Sequence, residues 1–141
     1  MRWLIYGDQG WIGQQLIAFL NQHSEIVIPG QVRVNPNNFQ SLFEEVTRVD
    51  PDRVICVLGR THGPGSPTID YLESNNKLPE NLNDNLSAPV CLAGVCQQLH
   101  VHLTYFGTGC IFAYDDQHSC PSCDSEGKII PDLYQGYCET D

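Results

Sequence analysis

Residues 2–13 read RWLIYGDQGWIG, and the order of residue types along them decides the fold. Arg2 to Tyr6 form a short apolar run suited to a strand, and Ile12, Leu16, Ile17 and Leu20 then recur at helical spacing. Between the two lie Gly7, Gly10 and Gly13, a G-x-x-G-x-x-G set. The three glycines serve different physical ends. Gly7 allows the tight turn, Gly10 lets backbone approach a pyrophosphate without a Cβ in the way, and Gly13 permits close packing of helix on strand. The free N–H groups that open such a helix suit a phosphate. With Gln9, Trp11 and Ile12 between the glycines, the whole turn reads as a dinucleotide-binding element.

Working outward, residues 25–28 (EIVI) form a second short strand closed by Pro29 and Gly30. Asn37 or Asn38 is suited to cap a helix in which Phe39, Leu42, Phe43 and Val46 share one face. Asp50-Pro51-Asp52 ends that helix. Residues 53–59 (RVICVLG) then form an unbroken apolar run, as expected of a strand covered on both faces in a parallel sheet. Leu86, Val90, Ala93, Cys96 and Leu99 mark a further helix with Pro89 in its first turn, and residues 101–107 (VHLTYFG) read as the next strand. Strands alternating with helices predict an α/β fold, a Rossmann-like doubly wound parallel sheet, as one domain over residues 1–141. Ligands of such sheets bind at the carboxyl ends of the strands. Gly59 closes the third strand and Arg60, Thr61 and His62 follow it, where they either line a cofactor pocket or make an ordinary surface turn. A carboxylate at the end of the second strand would bond the ribose of NAD, and residues 28–34 contain none. Arg33 lies there instead, which favours NADP(H) over NAD(H) through a 2′-phosphate contact; the alternative is a solvated surface arginine.

Hydrophobic residues make up 41% of the 141 and charged residues 17%, with no apolar run long enough for a membrane span and no signal-peptide core at the N-terminus. A cytoplasmic protein is expected. The net charge of −10 repels polyanions, so nucleic acid is excluded as a partner, whereas a small anion held by backbone N–H groups is not. Seven cysteines are an odd number, and Cys56, Cys91 and Cys96 fall in apolar segments where reduced thiols behave as small hydrophobes. His118, Cys120, Cys123 and Cys138 hold the residue types of a structural zinc site, but a second C-x-x-C is missing and no metal is assigned.

With the glycine turn and the segments GRTHG, TIDYLE, NLNDNL and TGCIFAYD in view, the chain resembles an extended short-chain dehydrogenase/reductase of the NAD-dependent epimerase/dehydratase superfamily. Within it, the resemblance is to dTDP-4-dehydrorhamnose reductases and to UDP-4-keto-6-deoxyglucose 3,5-epimerase/4-reductases, over their N-terminal portion. It implies NADPH-dependent reduction of a 4-keto-6-deoxy nucleotide sugar, with or without 3,5-epimerisation. Thr108 would bond the substrate's keto oxygen, Tyr137 would donate the proton, and Cys110 would either exchange protons at C3 or C5 or simply pack at a strand end. Asn85 falls where the family has a structural asparagine. The pattern breaks at Asp141, which stands where the family has a lysine that lowers the tyrosine pKa and binds the cofactor ribose; a carboxylate there would raise that pKa. The family's C-terminal substrate-binding part is expected to be missing. The alternative to an enzyme portion is a catalytically incomplete dinucleotide-binding module that forms a homodimer or pairs with a full-length relative.

Overall fold

The alternation of residue types along β1 (Arg2–Tyr6) divides the interior into two layers. Successive side chains of a strand point to opposite faces of the sheet, so Leu4 and Tyr6 face one way and Ile5 the other. In the computed structural model, which describes residues 1–59, 63–65 and 70–107, these faces meet different helices. Ile5 and Ile55 are buried with Leu20 of α1 (Trp11–Gln22), with Leu16 and Ile17 packed alongside. Leu4, Tyr6, Val54 and Cys56 are buried on the other face with Leu42, Val46 and Val49 of α2 (Phe39–Val49) and with residues of a later helix. The described residues belong to one compact unit, Met1–Gly107.

β2 (Ile26–Pro29) and β3 (Arg53–Cys56) pair in parallel with the two edges of β1, placing Leu4 opposite both Ile28 and Val54. After β3 come two short helices, α3 (Asp70–Glu73) and α4 (Leu78–Leu82), then α5 (Ala88–Gln98) and β4 (His102–Tyr105), which pairs in parallel with β3. The strand order is β2-β1-β3-β4. The chain therefore leaves β1 toward one edge and returns through α2 to the other. In an open parallel sheet that reversal opens a crevice at the carboxyl ends of the two strands flanking it, here β1 and β3.

Local chemistry explains where the elements end and where they depart from expectation. Asn38 holds the N-cap position of α2, as expected, but its side chain makes no capping bond; the side-chain cap belongs to Asn35, whose Oδ1 accepts from Asn37 N at 2.9 Å and opens a short 3-10 turn, Pro36–Asn38, ahead of the helix. Asn38 instead donates from Nδ2 to the Arg33 carbonyl at 2.8 Å. β3 stops at Cys56, short of the apolar run to Gly59, because β1 turns away at Gly7; one further bond, Val57 N to Tyr6 O at 2.9 Å, closes the ladder on that side.

The buried face of α5 also differs from the sequence reading. Leu86 and Val90 are exposed and so is Ala93, whereas Ala88, Cys91, Leu92, Val95 and Cys96 are buried. A wider, π-type turn over Asn83–Ser87 joins α4 to α5 and holds one residue more than an α-helical turn would. Pro89, just beyond, has no N–H to donate to a carbonyl four residues back, which favours such an interruption. The turn leaves the expected spacing intact, since Leu86, Val90 and Ala93 share the outward side; the stripe that meets the sheet is the other apolar one, Ala88, Cys91, Leu92, Val95 and Cys96.

Cys56, Cys91 and Cys96 are free thiols in this interior. Burial pushes all three pKa values up, Cys96 to about 11. The thiolate is the reactive form, so at neutral pH these groups should be inert while the chain is folded. Maleimide treatment followed by peptide mass spectrometry is expected to leave Cys56 and Cys96 unmodified in the native chain and to label both in urea; an adduct at either in the folded state would contradict the packing described.

No helix among the described residues is long and apolar enough to cross a membrane, and no cluster of metal-ligating side chains occurs among them. His118, Cys120, Cys123 and Cys138 lie outside the described residues.

Candidate functional site: the crevice at the switch point

The first wall of the crevice is the glycine turn. Gly7 has φ +96, and a Cβ there would stand 2.9 Å from the carbonyl carbon and oxygen of Val57, so both conformation and space require glycine. A Cβ on Gly13 would lie 2.2 Å from Gly7 O, which shows how closely α1 approaches the end of β1. Gly10 is different: its Cβ would meet only Gly7 O, at 3.4 Å, an ordinary contact. Nothing within the protein demands glycine at this position, so the free space lies outward, where a ligand's backbone-hugging group would sit. α1 starts at Gly10 without a side-chain cap and without an acidic residue in its first turn. Its opening N–H groups therefore face no carboxylate of their own helix, an arrangement suited to an anion.

The second wall is the loop after β2. Gly30 N donates to Ile5 O at 2.8 Å and ties the loop to the end of β1, and a Cβ on Gly30 would collide with the Tyr6 ring at 2.3 Å. Beneath the loop lies Glu45 of α2, only 3% exposed. Its carboxylate accepts three hydrogen bonds: from Tyr6 OH at 2.7 Å, from Gln31 N at 2.8 Å and from Val32 N at 3.2 Å. A buried carboxylate is tolerable when its oxygens are satisfied in this way. Burial, reinforced by the Glu45 carboxylate, pushes the Tyr6 phenol far above its usual range, so Tyr6 acts here as a hydrogen-bond donor and not as an exchangeable acid. Arg33 follows on the loop, its side chain largely exposed and its Nη2 3.9 Å from Asp84 Oδ1.

The third wall is Leu58 and Gly59 after β3, faced by Asp84 and Ala88 from the region where α4 passes into α5. Asn85 in the same turn bonds Asn81 Oδ1 at 2.9 Å, and its own Oδ1 would lie 3.5 Å from a Cβ placed on Gly59. Together the three walls enclose a groove of about 500 Å³, within the range of small-molecule and cofactor sites.

No family model matches the sequence. It is 50% identical over 112 residues to the uncharacterized protein L780 of Acanthamoeba polyphaga mimivirus, covering 79% of this chain and 38% of that one. It is 33% identical over 118 residues to the trifunctional UDP-glucose 4,6-dehydratase/UDP-4-keto-6-deoxy-D-glucose 3,5-epimerase/UDP-4-keto-L-rhamnose-reductase RHM1 of Arabidopsis thaliana, covering 84% of this chain and 17% of that one. Among solved structures, the L780 UDP-rhamnose synthase of the same mimivirus superposes with a TM-score of 0.77 at 49% identity, over 82% of this chain and 39% of that one. The dTDP-4-dehydrorhamnose reductase of Bacillus anthracis, in complex with NADP, shares the fold with a TM-score of 0.58 at 19% identity, over 72% and 34%. The chain is thus similar over about four-fifths of its length to enzymes named for rhamnose formation, and it shares a Rossmann-like fold with their solved structures. It spans well under half the length of the relatives it matches.

Of the cofactor-binding residues expected from the sequence, Gly7, Gln9, Arg33 and Gly59 line the groove. Gly10 and Gly13 shape the turn beside it, while Trp11 and Ile12 in the first turn of α1 are exposed. Arg60 and Thr61, and the expected catalytic residues Thr108, Cys110 and Tyr137, lie outside the described residues. Three groove-associated acids escaped the sequence reading: Asp8, which lines the groove within the glycine turn itself, Asp84, and Glu45 beneath the loop. Asp84 comes from a helix turn some fifty positions away from the strand end where an acid was sought. Glu45 did leave a signal: it sits three positions after Leu42 and four before Val49, a charged residue on the apolar stripe of α2.

Proposed function

We propose that this chain forms the cofactor-binding portion of an enzyme that uses NADPH to reduce a 4-keto-6-deoxy nucleotide sugar, with or without 3,5-epimerisation, in the formation of a rhamnose-type sugar. The observation that carries this reading is the placement of Arg33 in a groove that also contains the end of the glycine turn, at the switch point of the sheet. The likeness to the mimivirus UDP-rhamnose synthase and the Arabidopsis trifunctional enzyme supports the substrate class. The pyrophosphate would lie against the N–H groups that open α1, where Gly10 leaves room, and the 2′-phosphate would meet the Arg33 guanidinium. When bound, NADPH supplies the hydride for the carbonyl carbon. By resemblance, Thr108 would hold the keto oxygen, Tyr137 would protonate it, and Cys110 would move protons at the neighbouring carbons.

Titration of the chain with NADPH and with NADH, wild type against Arg33→Ala, tests the cofactor half of this proposal. Wild type is expected to prefer NADPH, and Arg33→Ala to weaken NADPH binding by about tenfold while sparing NADH, as loss of one charge-assisted contact predicts. An unchanged preference would refute the role of Arg33. A second reading, a module that binds dinucleotide without catalysis and pairs with a full-length relative, is favoured by Asp141 at the lysine position. NADPH bound but not consumed on addition of UDP-4-keto-6-deoxyglucose would select that reading.

A further inference from the structure

The Glu45 carboxylate is the one acceptor shared by two walls of the groove: Tyr6 at the end of β1, and the backbone of Gln31 and Val32 in the loop after β2. An apolar side chain at position 45 would fill the same space, yet it would leave both loop N–H groups and the phenol without this partner. The residue that follows those two N–H groups is Arg33, and its own carbonyl is held from the other side by Asn38 Nδ2 at 2.8 Å. Arg33 is therefore clamped on both sides of its Cα, while its guanidinium is left to reach across the groove mouth toward Asp84. The same bonds commit the N–H groups of residues 31 and 32 to an internal carboxylate, so anion recognition on this loop falls to the Arg33 side chain.

We infer that Glu45 is a positioning residue for cofactor discrimination: it never touches the dinucleotide, but it fixes the backbone from which Arg33 selects the 2′-phosphate. This rests on the dinucleotide reading of the groove given above. Replacing Glu45 by Gln keeps the shape but gives up one acceptor and adds a donor, so one loop N–H loses its partner and the loop is free to shift.

The test is a double-mutant cycle on the 141-residue chain, with dissociation constants for NADPH and NADH measured for wild type, Glu45→Gln, Arg33→Ala and the double variant. The expected result is that Glu45→Gln lowers the NADPH-over-NADH preference roughly fivefold, changes NADH affinity by less than about twofold, and has no further effect on preference in the Arg33→Ala background. A purely structural role would weaken both cofactors alike, or act equally with and without Arg33; either result, or an unmoved preference, overturns the inference. If Glu45→Gln proves unfolded by circular dichroism, Glu45→Asp is read by the same criteria, since it keeps the charge but withdraws the carboxylate from the loop. A wild-type chain that binds neither cofactor would instead bring down the dinucleotide reading, and the positioning role with it.

Discussion

Gly13→Ala is expected to abolish dinucleotide binding and to destabilise the chain by about 3 kcal/mol, the upper end for overpacking a tight contact. The added methyl would stand 2.2 Å from Gly7 O and 2.9 Å from Asp8 Cα, and both are backbone atoms with nowhere to go while β1 and α1 keep their places. The helix would have to back away from the strand end, opening the turn that aims its first N–H groups. Gly10→Ala provides the contrast. Its methyl makes only an ordinary contact inside the protein, and its backbone (φ −74, ψ 162) is one alanine adopts freely. It should cost less than about 1 kcal/mol in stability yet weaken dinucleotide binding about tenfold or more, because the methyl occupies space meant for the ligand. Urea unfolding and cofactor titration on both variants check the pair: a Gly13→Ala protein as stable as wild type, or a Gly10→Ala protein that binds normally, would contradict the assignment.

Glu45→Leu should be at least as damaging to the fold, at about 3–5 kcal/mol, for the opposite reason. It removes a buried acceptor and leaves three donors facing an apolar group: the Tyr6 hydroxyl and the N–H groups of Gln31 and Val32. An unsatisfied buried donor typically costs about 1–3 kcal/mol, and the sum is limited by how far the loop can turn its N–H groups to water. Tyr6→Phe removes one of the three bonds and leaves the other two in place, so a loss of about 1 kcal/mol is expected. The difference between these variants in urea midpoint measures how much of the loop's order depends on the carboxylate. Equal midpoints for Glu45→Leu and wild type would mean the loop holds itself.

The sequence shows the fold class because its signals are local. A strand-forming run, glycines at fixed offsets and a helical repeat occupy adjacent residues 2–22, and none of them needs a distant partner to be recognised. The same holds for the apolar stripe of α2 and the run at β3, where pattern and packing agree because sheet and helix both bury the side the spacing indicates. It fails for α5. That helix and the turn before it carry two apolar stripes, Leu86/Val90/Ala93 and Ala88/Cys91/Leu92/Val95/Cys96, and spacing alone does not say which of them meets the sheet.

The groove was legible to the extent that it is made of segments following strands: Gly7, Gln9, Arg33 and Gly59 could each be placed from the rule that ligands gather at the carboxyl ends of a parallel sheet. What the sequence by itself determined was thus the doubly wound architecture and the side of the sheet on which a ligand would lie, since both follow from the order and periodicity of neighbouring residues. Only the tertiary structure decided that Asp84 crosses to face Arg33, that Gly10 alone of the three glycines leaves its space to a ligand, and that Glu45 joins Tyr6 to the loop after β2. The first and last of these depend on groups well separated in the chain coming close in space, and the second on how closely α1 packs against the end of β1. A linear pattern encodes which face a residue takes, whereas only packing fixes which atoms it meets there.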